Sequence, residues 1–448
     1  MSRVFFISVM MLACVLAGCV VPGAKTQTTQ GGLRVINLSA NAGPVNVSVD
    51  GVTHASGLAF QGVSSRQFYL GGAREIKITL PDNISVLVDA QYRVTGTFNW
   101  MLILYGTKEF PYAMFLPDNP ESVGAGKFAL RAAHTALNTG LIDIYVTDVG
   151  TDLTAATPDI SGLSLGGATI FGQFAATLKQ IRVTAFGAKS PIYYDSGAIT
   201  IAAGSLAALD INTIGSRSLV NVALIFTDPN PSAAGALVPA NNVLSNLKLV
   251  NARNDADTLN LLVDGTARIS TVDYKNLLSA PSYVATSAGT SILRVEASGA
   301  PGVAIASSPA TAFTGASDYT TVVWDHGGTL GLLTLPDDNL PPTSGLTKIR
   351  FVNVSSDGPS LDVQVNGVTY VTGMQVGAAS IYTPSDGSAP GNYVQILPGT
   401  YPVTFNQAGT NTLFLTVPDL TLSVNAAAYT VYVVGNTVSP DYILVQDF

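Results

Sequence analysis

The stretch Val45-Asn46-Val47-Ser48-Val49-Asp50-Gly51 decides the fold of this chain. Valine alternates with a polar residue along it, and this period of two is typical of a β-strand that buries one face. The strand runs directly into Asp-Gly, the pair that a tight two-residue hairpin favours because both turn positions need a positive φ. The stretch therefore predicts a half-buried strand that turns back at once into a second strand.

This unit recurs three more times along the chain. In every copy a basic residue opens a short segment that ends in Asn or His, and the alternating stretch follows at the same distance. The aligned segments are Arg34–Asn37 with Val45–Gly51, Arg131–His134 with Ile142–Asp148, Lys248–Asn251 with Leu259–Gly265, and Arg350–Asn353 with Leu361–Gly367. The opening basic residues are on average about 105 positions apart, which is the size of one immunoglobulin-like sandwich.

Proline-rich segments separate the copies, because proline cannot donate a hydrogen bond to a sheet. They are Leu116–Pro120, Asp228–Pro239 and Leu335–Pro342. We predict an all-β chain of four tandem Ig-like β-sandwich repeats, at residues 33–120, 124–232, 244–339 and 346–448. Short, stiff linkers favour an extended array. Asp148-Val149-Gly150 predicts a longer loop in the second repeat, and Tyr442–Phe448 predicts a paired final strand.

The repeated pattern resembles a bacterial family of domains of unknown function. The shared features are Arg-x-x-(Asn/His), then (Asp/Asn)-(Val/Ile/Leu)-x-Val-(Asp/Asn)-Gly, then Gly-x-Tyr-x-Val. The fourth repeat fits best, with Gly399-Thr400-Tyr401-Pro402-Val403, whereas the second lacks the Asp-Gly pair. That family occurs in tandem in secreted, lipid-anchored and cell-wall proteins. The resemblance implies an Ig-like sandwich in the cell envelope, and it implies no activity.

The N-terminus predicts export and lipidation. Residues 1–18 combine a short basic start with an apolar run of signal-peptide length. Leu16-Ala17-Gly18-Cys19 is similar to the bacterial lipobox, so the resemblance implies a lipidated Cys19 followed by a flexible tether over residues 19–32. Val20 instead of Asp resembles the outer-membrane sorting class of enteric-type bacteria. An ordinary signal peptide and an uncleaved anchor helix are the alternatives.

Composition narrows the classes of partner. The net charge is −8 and only 11% of residues are charged. An acidic body of this kind argues against nucleic acid, whose phosphates need clustered Lys and Arg. Cys14 and Cys19 are the only cysteines, so the mature body can form no internal disulfide and no thiolate metal cluster. We expect no cofactor.

The polar residues offer few candidates for chemistry. His54, His134 and His326 lack metal-ligand spacing and are predicted to be turn or surface residues. The slot formed by Asn37, His134, Asn251 and Asn353 could fix a corner of the sandwich or line a binding site, and we favour the corner. Gly162-Leu163-Ser164-Leu165-Gly166 has the spacing of a nucleophile elbow. No helix is predicted after it, so we interpret it as a loop.

Two binding alternatives remain open from the sequence. Acidic clusters at Asn254–Asp257, Asp148–Asp152 and Asp337–Asn339 could bind Ca²⁺, although Asp and Asn also favour turns. Aromatic residues could stack on sugars, although core packing is the favoured explanation. They are Phe98, Trp100, Tyr105, Phe110, Tyr112, Phe115, Tyr193 and Tyr194.

The sequence as a whole favours a non-catalytic, lipid-anchored envelope protein that acts as a structural stalk or as a binding and adhesion array. The expected partners are the membrane, through N-terminal acyl chains, and an envelope protein or polysaccharide. A carbohydrate-binding surface lipoprotein is the alternative, and an enzyme of unknown type is a further one. We expect anchoring to the bacterial outer membrane, facing either the periplasm or the cell surface.

Overall fold

The structure is a computed structural model that describes residues 29–119, 121–227, 237–253, 257–276, 282–382, 391–422 and 427–447. The predicted signal peptide and Cys19 lie outside the described residues. The described part is almost entirely β-structure, and its only helical element is a 3-10 turn at Tyr274–Asn276. No helix within these ranges is long and apolar enough to cross a membrane.

Strands of the first two repeats alternate with short turns. In repeat 1 they are β1 (Gln30–Ser39), β2 (Val45–Val49), β3 (Val52–Leu58), β4 (Gln67–Leu70), β5 (Gly72–Thr79), β6 (Val86–Val94), β7 (Asn99–Gly106) and β8 (Pro111–Pro117). In repeat 2 they are β9 (Lys127–His134), β10 (Ile142–Asp148), β11 (Ile160–Leu163), β12 (Gly172–Ala175), β13 (Lys179–Ala185), β14 (Ile192–Ile199), β15 (Leu206–Asn212), β16 (Asn221–Phe226) and β17 (Leu237–Ala240).

The last two repeats follow the same order. In repeat 3 the strands are β18 (Leu244–Asn251), β19 (Leu259–Val263), β20 (Thr266–Val272), β21 (Val284–Ser287), β22 (Gly289–Ser291), β23 (Leu293–Ala297), β24 (Ala304–Ser307), β25 (Thr311–Phe313), β26 (Asp318–His326) and β27 (Thr329–Asp337). In repeat 4 they are β28 (Thr347–Asn353), β29 (Leu361–Val365), β30 (Val368–Met374), β31 (Ala378–Ala379), β32 (Val394–Ile396), β33 (Gly399–Gln407), β34 (Leu413–Leu422), β35 (Ala428–Gly435) and β36 (Pro440–Gln446).

Each repeat is a sandwich of two main sheets, and repeat 3 has an additional two-stranded sheet, β22-β25. In repeat 1 the outer sheet has the order β3-β2-β5-β6 and the inner sheet the order β4-β1-β7-β8. The opening strand of each repeat pairs in parallel with a late strand, in the pairs β1–β7, β9–β15, β18–β26 and β28–β35. The prediction of an all-β chain built from tandem β-sandwiches is confirmed.

The deciding stretch behaves as the alternation predicts. Val45, Val47 and Val49 are almost fully buried in the core of repeat 1, and the residues between them are partly exposed. Asp50 and Gly51 have φ of +50° and +76°, as the tight hairpin requires. The same pair of positive φ values recurs at the other two predicted turns. The longer loop after Asp148 and the paired final strand are also found.

The inner sheets differ from the outer sheets because they are buried on both faces. In β7, Leu102 and Leu104 pack into the core of repeat 1. The alternate residues Met101 and Ile103 enter a second cluster with Ala133, Ala208 and Ile225 of repeat 2. Continuous apolar runs are typical of strands that are buried on both faces. Such a run is visible in the sequence from Met101 to Tyr105.

Repeats 3 and 4 meet through their inner sheets in the same way. Val250 and Val322 of repeat 3 form one apolar cluster with Val352, Tyr432 and Val434 of repeat 4. The expectation of an extended array is therefore wrong within each pair, because the inner sheets of neighbouring repeats share a core. This packing is favourable because it removes apolar area from water on both repeats. The proline-rich linkers do not prevent it.

Adjacent residues of β7 can test the two-sided burial. We expect Leu104→Ala and Ile103→Ala each to lower the free energy of unfolding by about 2–5 kcal/mol, because each change leaves a cavity in a separate core. Urea unfolding of the full chain, followed through the transition of repeats 1 and 2, measures both effects. A loss at Leu104 without a comparable loss at Ile103 would contradict the shared core between repeats.

Candidate functional site

The recurring Asn slot fixes the first corner of each sandwich. Asn353 is fully buried. Its Nδ2 atom donates to the carbonyl oxygens of Pro359 at 3.0 Å and Met374 at 3.4 Å, and its Oδ1 atom accepts from the Ser355 N–H at 3.3 Å. Asn37 makes the equivalent set of contacts. The predicted corner role is confirmed, since these side chains satisfy loop backbone groups and face no open site.

His134 fills the same slot in repeat 2. Its Nε2 atom lies 2.9 Å from the carbonyl oxygen of Gly140, and Nδ1 accepts from the Ala136 N–H at 3.3 Å. Burial lowers the pKa of His134, despite its bond to Gly140. The imidazole therefore substitutes, in neutral form, for the amide of Asn. The prediction of a turn or surface histidine is wrong here because the slot is completely buried.

The two remaining histidines differ from one another. His54 is also buried, with Nδ1 2.7 Å from the Tyr69 hydroxyl and Nε2 2.8 Å from the Ser64 hydroxyl. Burial lowers its pKa to about 4. The surface prediction is thus wrong for His54 as well, because two hydroxyl partners allow a neutral imidazole inside the sandwich. It is correct for His326, which is exposed at the end of β26.

The Asp or Asn at the start of each alternating stretch has a role that sequence reasoning missed. This side chain accepts a hydrogen bond from a backbone N–H in the following strand, at a residue with left-handed φ. The pairs are Asn46 with Gly57, Asp143 with Gly162, Asn260 with Thr271 and Asp362 with Gly373, at 2.7–2.9 Å. The side chain therefore stabilises a β-bulge. Its recurrence in all four copies was the available sequence signal.

A buried cluster of charges lies between repeats 3 and 4. It contains the basic residues that open the two repeats, Lys248 and Arg350, and an acid at the end of each inner sheet, Asp337 and Asp447. The four side chains are at most 1% exposed. Each cation makes its shorter contact with the acid of the other repeat. Arg350 of repeat 4 lies 2.5 Å from Asp337 of repeat 3, and Lys248 of repeat 3 contacts Asp447 of repeat 4.

Hydroxyl groups complete the cluster. Tyr283 and Thr320 donate to Asp337, each at 2.6 Å. Tyr393 donates to Asp447 at 2.9 Å, while its ring lies 4.7 Å from the Arg350 guanidinium. Burial opposes the ionisation of Asp337, but the nearby cations hold the pKa of its carboxyl below the usual range. Every charge is therefore balanced inside the interface, and the cluster serves to join two repeats.

Repeats 1 and 2 contain a smaller version of this cluster. Asp118 lies between two guanidinium groups, 2.6 Å from Arg34 and 2.5 Å from Arg66. It also accepts from the Thr227 hydroxyl of repeat 2 at 3.0 Å. Arg34 crosses the interface to the carbonyl oxygen of Phe226 at 3.1 Å. A single carboxylate thus holds the inner sheets of both repeats.

Asp210 is a second buried acid at the repeat 1–2 interface. It lies on β15, where its Oδ1 accepts from the Thr135 hydroxyl at 2.7 Å. Its Oδ2 is buried without a hydrogen-bond partner in the described chain. Burial raises the pKa of Asp210 to about 7, against the bond from Thr135. This carboxyl is therefore held largely protonated in mildly acidic solution.

The aromatic candidates do not assemble into one exposed platform. Trp100 and Phe115 stack at 4.7 Å against the core of repeat 1. Tyr105 is buried between repeats 1 and 2, and Tyr194 is fully buried in repeat 2. Phe98, Tyr112 and their neighbours stay partly exposed. Core packing, the favoured explanation, therefore accounts for the most deeply buried of these aromatic side chains.

The remaining candidates also act as structure. Ser164 lies in a turn between β11 and β12, with no helix after it, so the loop interpretation is confirmed. Asp337 belongs to the charge cluster, and Asp338 pairs with Lys348 at 2.7 Å. Residues 254–256 of one acidic cluster lie outside the described residues. Across the ranges that are described, no group of three or more His, Cys, Asp or Glu side chains could hold a metal ion.

The charge cluster gives a prediction with an internal control. We expect Asp447→Asn to lower the free energy of unfolding by about 3–5 kcal/mol, because Lys248 then lies buried without its main partner. Asp441→Asn, on β36, removes a partly exposed pair with Lys275 and should cost less than about 1 kcal/mol. Chemical denaturation compares the two variants. Equal costs would show that the buried pair has no special weight.

Asp210 should make stability depend on pH. Its pKa is about 7 in the folded chain and 3.8 in the unfolded one, so the folded state binds the additional proton between these values. Its contribution therefore decreases by about 1.4 kcal/mol per pH unit as pH rises through this window. Asp210→Asn should remove that slope, and thermal unfolding from pH 4 to 8 measures it.

The quantity to follow is the difference in unfolding free energy between Asp210→Asn and the wild type at each pH. This difference cancels the contribution of His54, which changes with pH in the opposite direction. Its depressed pKa of about 4 makes its own contribution grow as pH rises from about 4 to its ordinary value of 6.5. A difference that stays flat across the window would contradict the assignment of the buried proton to Asp210.

Comparison with solved structures finds remote likenesses. The TIE protein of Bacillus anthracis matches at 11% identity and a TM-score of 0.15, over 88% of this chain and 65% of that protein. A candidate cell adhesion protein from Bacteroides uniformis matches at 12% and 0.20, over 48% of this chain and 99% of its own. A carbohydrate-binding module of family CBM26 from Eubacterium rectale Amy13K, solved with maltoheptaose, matches at 12% and 0.15, over 45% and 96%. These likenesses carry no argument about function.

Comparison by sequence gives one family and no characterised relative. No curated protein matches the chain. The family described as a domain of unknown function matches residues 31–145 and 245–364, which together make up more than half of the chain. The two matched regions begin near the opening strands β1 and β18 of the two paired units, in agreement with tandem repetition. The chain therefore belongs to the family of the domain of unknown function DUF4397.

Proposed function

We propose that this chain is a non-catalytic, lipid-anchored protein of the bacterial envelope. Its paired sandwiches form a structural stalk or a binding and adhesion array, and the partner is an envelope protein or polysaccharide. The observation that carries the proposal is the use of the recurrent polar residues. Apart from Arg131, the polar side chains that recur along the chain take part in building the sandwich or in joining two of them.

This use of the polar residues argues against chemistry at the repeated positions. The Asn slot fixes corners, the Asp or Asn at the start of each alternating stretch stabilises bulges, and three of the four opening basic residues sit in buried charge clusters. A catalytic group must reach its substrate, whereas the side chains that fill these roles are enclosed by their own fold. A stalk or array needs rigid units with fixed contacts between them, and the shared inner-sheet cores supply such contacts.

The N-terminal segment supports the anchor. Leu16-Ala17-Gly18-Cys19 directly follows an apolar run of signal-peptide length. A diacylglyceryl thioether on Cys19, with a further acyl chain on the new amino terminus, would bury several methylene chains in the bilayer. At about 0.8 kcal/mol per buried methylene, more than one chain gives durable attachment. Residues 19–32 then separate the lipid from repeat 1, and Val20 favours the outer membrane.

The two cysteines of the leader provide a matched test of the anchor. We expect Cys19→Ala to abolish incorporation of labelled palmitate and to leave the uncleaved precursor, because the acylated sulfur is lost. Cys14→Ala removes a cysteine from the apolar run and should leave labelling unchanged. Membrane fractionation and the intact mass of the mature protein measure both. Palmitate labelling that persists in Cys19→Ala would overturn the lipoprotein proposal, whereas loss in both variants would indicate a general export defect.

A further inference from the structure

The charge clusters reveal one cation that lacks a carboxylate. Strand register defines three equivalent positions in each repeat. The first is the opening basic residue, and the second is the acid that ends the inner sheet. The third is the residue just before the strand that pairs antiparallel with the opening strand. The basic residues are Arg34, Arg131, Lys248 and Arg350. The third positions are Arg66, Phe171, Tyr283 and Tyr393.

Repeat 2 departs from the others at the acid position. The backbone N–H of Asp118 donates to the carbonyl oxygen of Asn99, and that of Thr227 donates to the carbonyl oxygen of Leu206. Both carbonyls lie two residues before the one that pairs with the opening basic residue. Thr227 therefore occupies the position that is Asp in the other three repeats. The pair of repeats 1 and 2 has lost one of the two carboxylates that neutralise repeats 3 and 4.

Arg131 is the cation left without a carboxylate partner by this change. It is 3% exposed, and its Nη2 atom donates to the Met101 sulfur at 3.5 Å. Its Nε atom is buried with no hydrogen-bond partner among the residues that the structure describes. Asp118 is already held by Arg34 and Arg66. Burial lowers the pKa of Arg131 to about 10, so the guanidinium still carries its charge at neutral pH.

A pocket of about 380 Å³ opens beside this guanidinium. Its lining includes Phe171, whose ring centroid lies 5.0 Å from the Arg131 guanidinium carbon, and Ile170, which is 91% exposed. Thr169 and Asn119 add polar groups, and Glu121 is an exposed acid of the same lining. The pocket thus combines one buried cation with an aromatic and an aliphatic wall.

We propose that this pocket binds a small monocarboxylate with an apolar body, whose carboxylate replaces the acid that repeat 2 lacks. A guanidinium presents N–H donors in a planar fork that matches a carboxylate. Phe171 and Ile170 face the apolar part, so charge and shape favour one orientation. This site goes beyond the proposed envelope role, and the lipid anchor does not enter its test.

Benzoate and its neutral counterpart benzamide test the proposal directly. We expect benzoate to bind the full chain at least about tenfold more tightly than benzamide, because only benzoate forms the charge-assisted pair. Isothermal titration of the purified protein measures the ratio, and the thermal midpoint should rise with benzoate alone. Equal affinities of the two compounds, or no binding of benzoate, would overturn the proposal.

Variants of the pocket separate the site from general effects. Arg131→Met should reduce the affinity ratio to about one, and in the absence of ligand it should not lower the thermal midpoint, because it removes an unpaired buried charge. Arg131→Lys keeps the charge without the planar fork, so affinity should fall severalfold in a folded protein. Arg294→Met, at a cation whose side chain is 40% exposed, is the control that should change nothing.

The variant Glu121→Gln tests whether Arg131 is neutralised by an external ligand or by Glu121 of the same chain. If the Arg131 guanidinium binds an external carboxylate, Glu121→Gln removes the repulsion between Glu121 and benzoate. Benzoate should then bind severalfold more tightly, without loss of stability. A lower thermal midpoint in Glu121→Gln, together with unchanged affinity for benzoate, would identify Glu121 as the partner of Arg131 and overturn the proposal.

Discussion

Burial of the inner sheets on both faces is the constraint on which the rest of this structure depends. A sheet that packs against its own repeat on one side and a neighbouring repeat on the other has no face for charged groups in water. A Lys or Arg nevertheless begins every repeat, and it lies on an interior strand of the inner sheet. They are tolerated where carboxylates, tyrosine rings and hydroxyl groups surround them, as around Arg350 and Asp337.

The same constraint explains why the recurrent polar residues serve the architecture of the repeats. Asn353 satisfies loop carbonyls that would otherwise be buried without donors, and His134 does the same in neutral form. Asp143 and its equivalents stabilise a backbone bulge at each outer-sheet edge. These roles are local and independent of any ligand. A domain that repeats them can vary its exposed loops freely, which is typical of modules that are used in tandem.

Much of the local structure could be predicted from the sequence, because it depends on neighbouring residues. The alternation from Val45 to Val49 and the Asp50-Gly51 turn fix a strand and its hairpin without reference to the rest of the chain. Pairing between repeats could not be predicted in this way, because the groups that meet, such as Asp118 and Thr227, lie 109 positions apart. The unbroken apolar run from Met101 to Tyr105 was the sequence signal of a second buried face. The buried positions of His54 and His134 were missed because nearby hydroxyl and backbone groups satisfy the nitrogens of a neutral imidazole, which the spacing of the histidines does not reveal.

The contact between Lys248 and Asp447 spans 199 positions and joins the first strand of repeat 3 to the last strand of repeat 4. Because a polypeptide is synthesised from its N-terminus, Lys248 is made long before Asp447. Repeat 3 must therefore wait, with its inner sheet uncovered and its ammonium group in water, until β36 and the residue after it have been made. Folding of this half of the molecule is thus a late and concerted event, whose timing is set by the synthesis of β36.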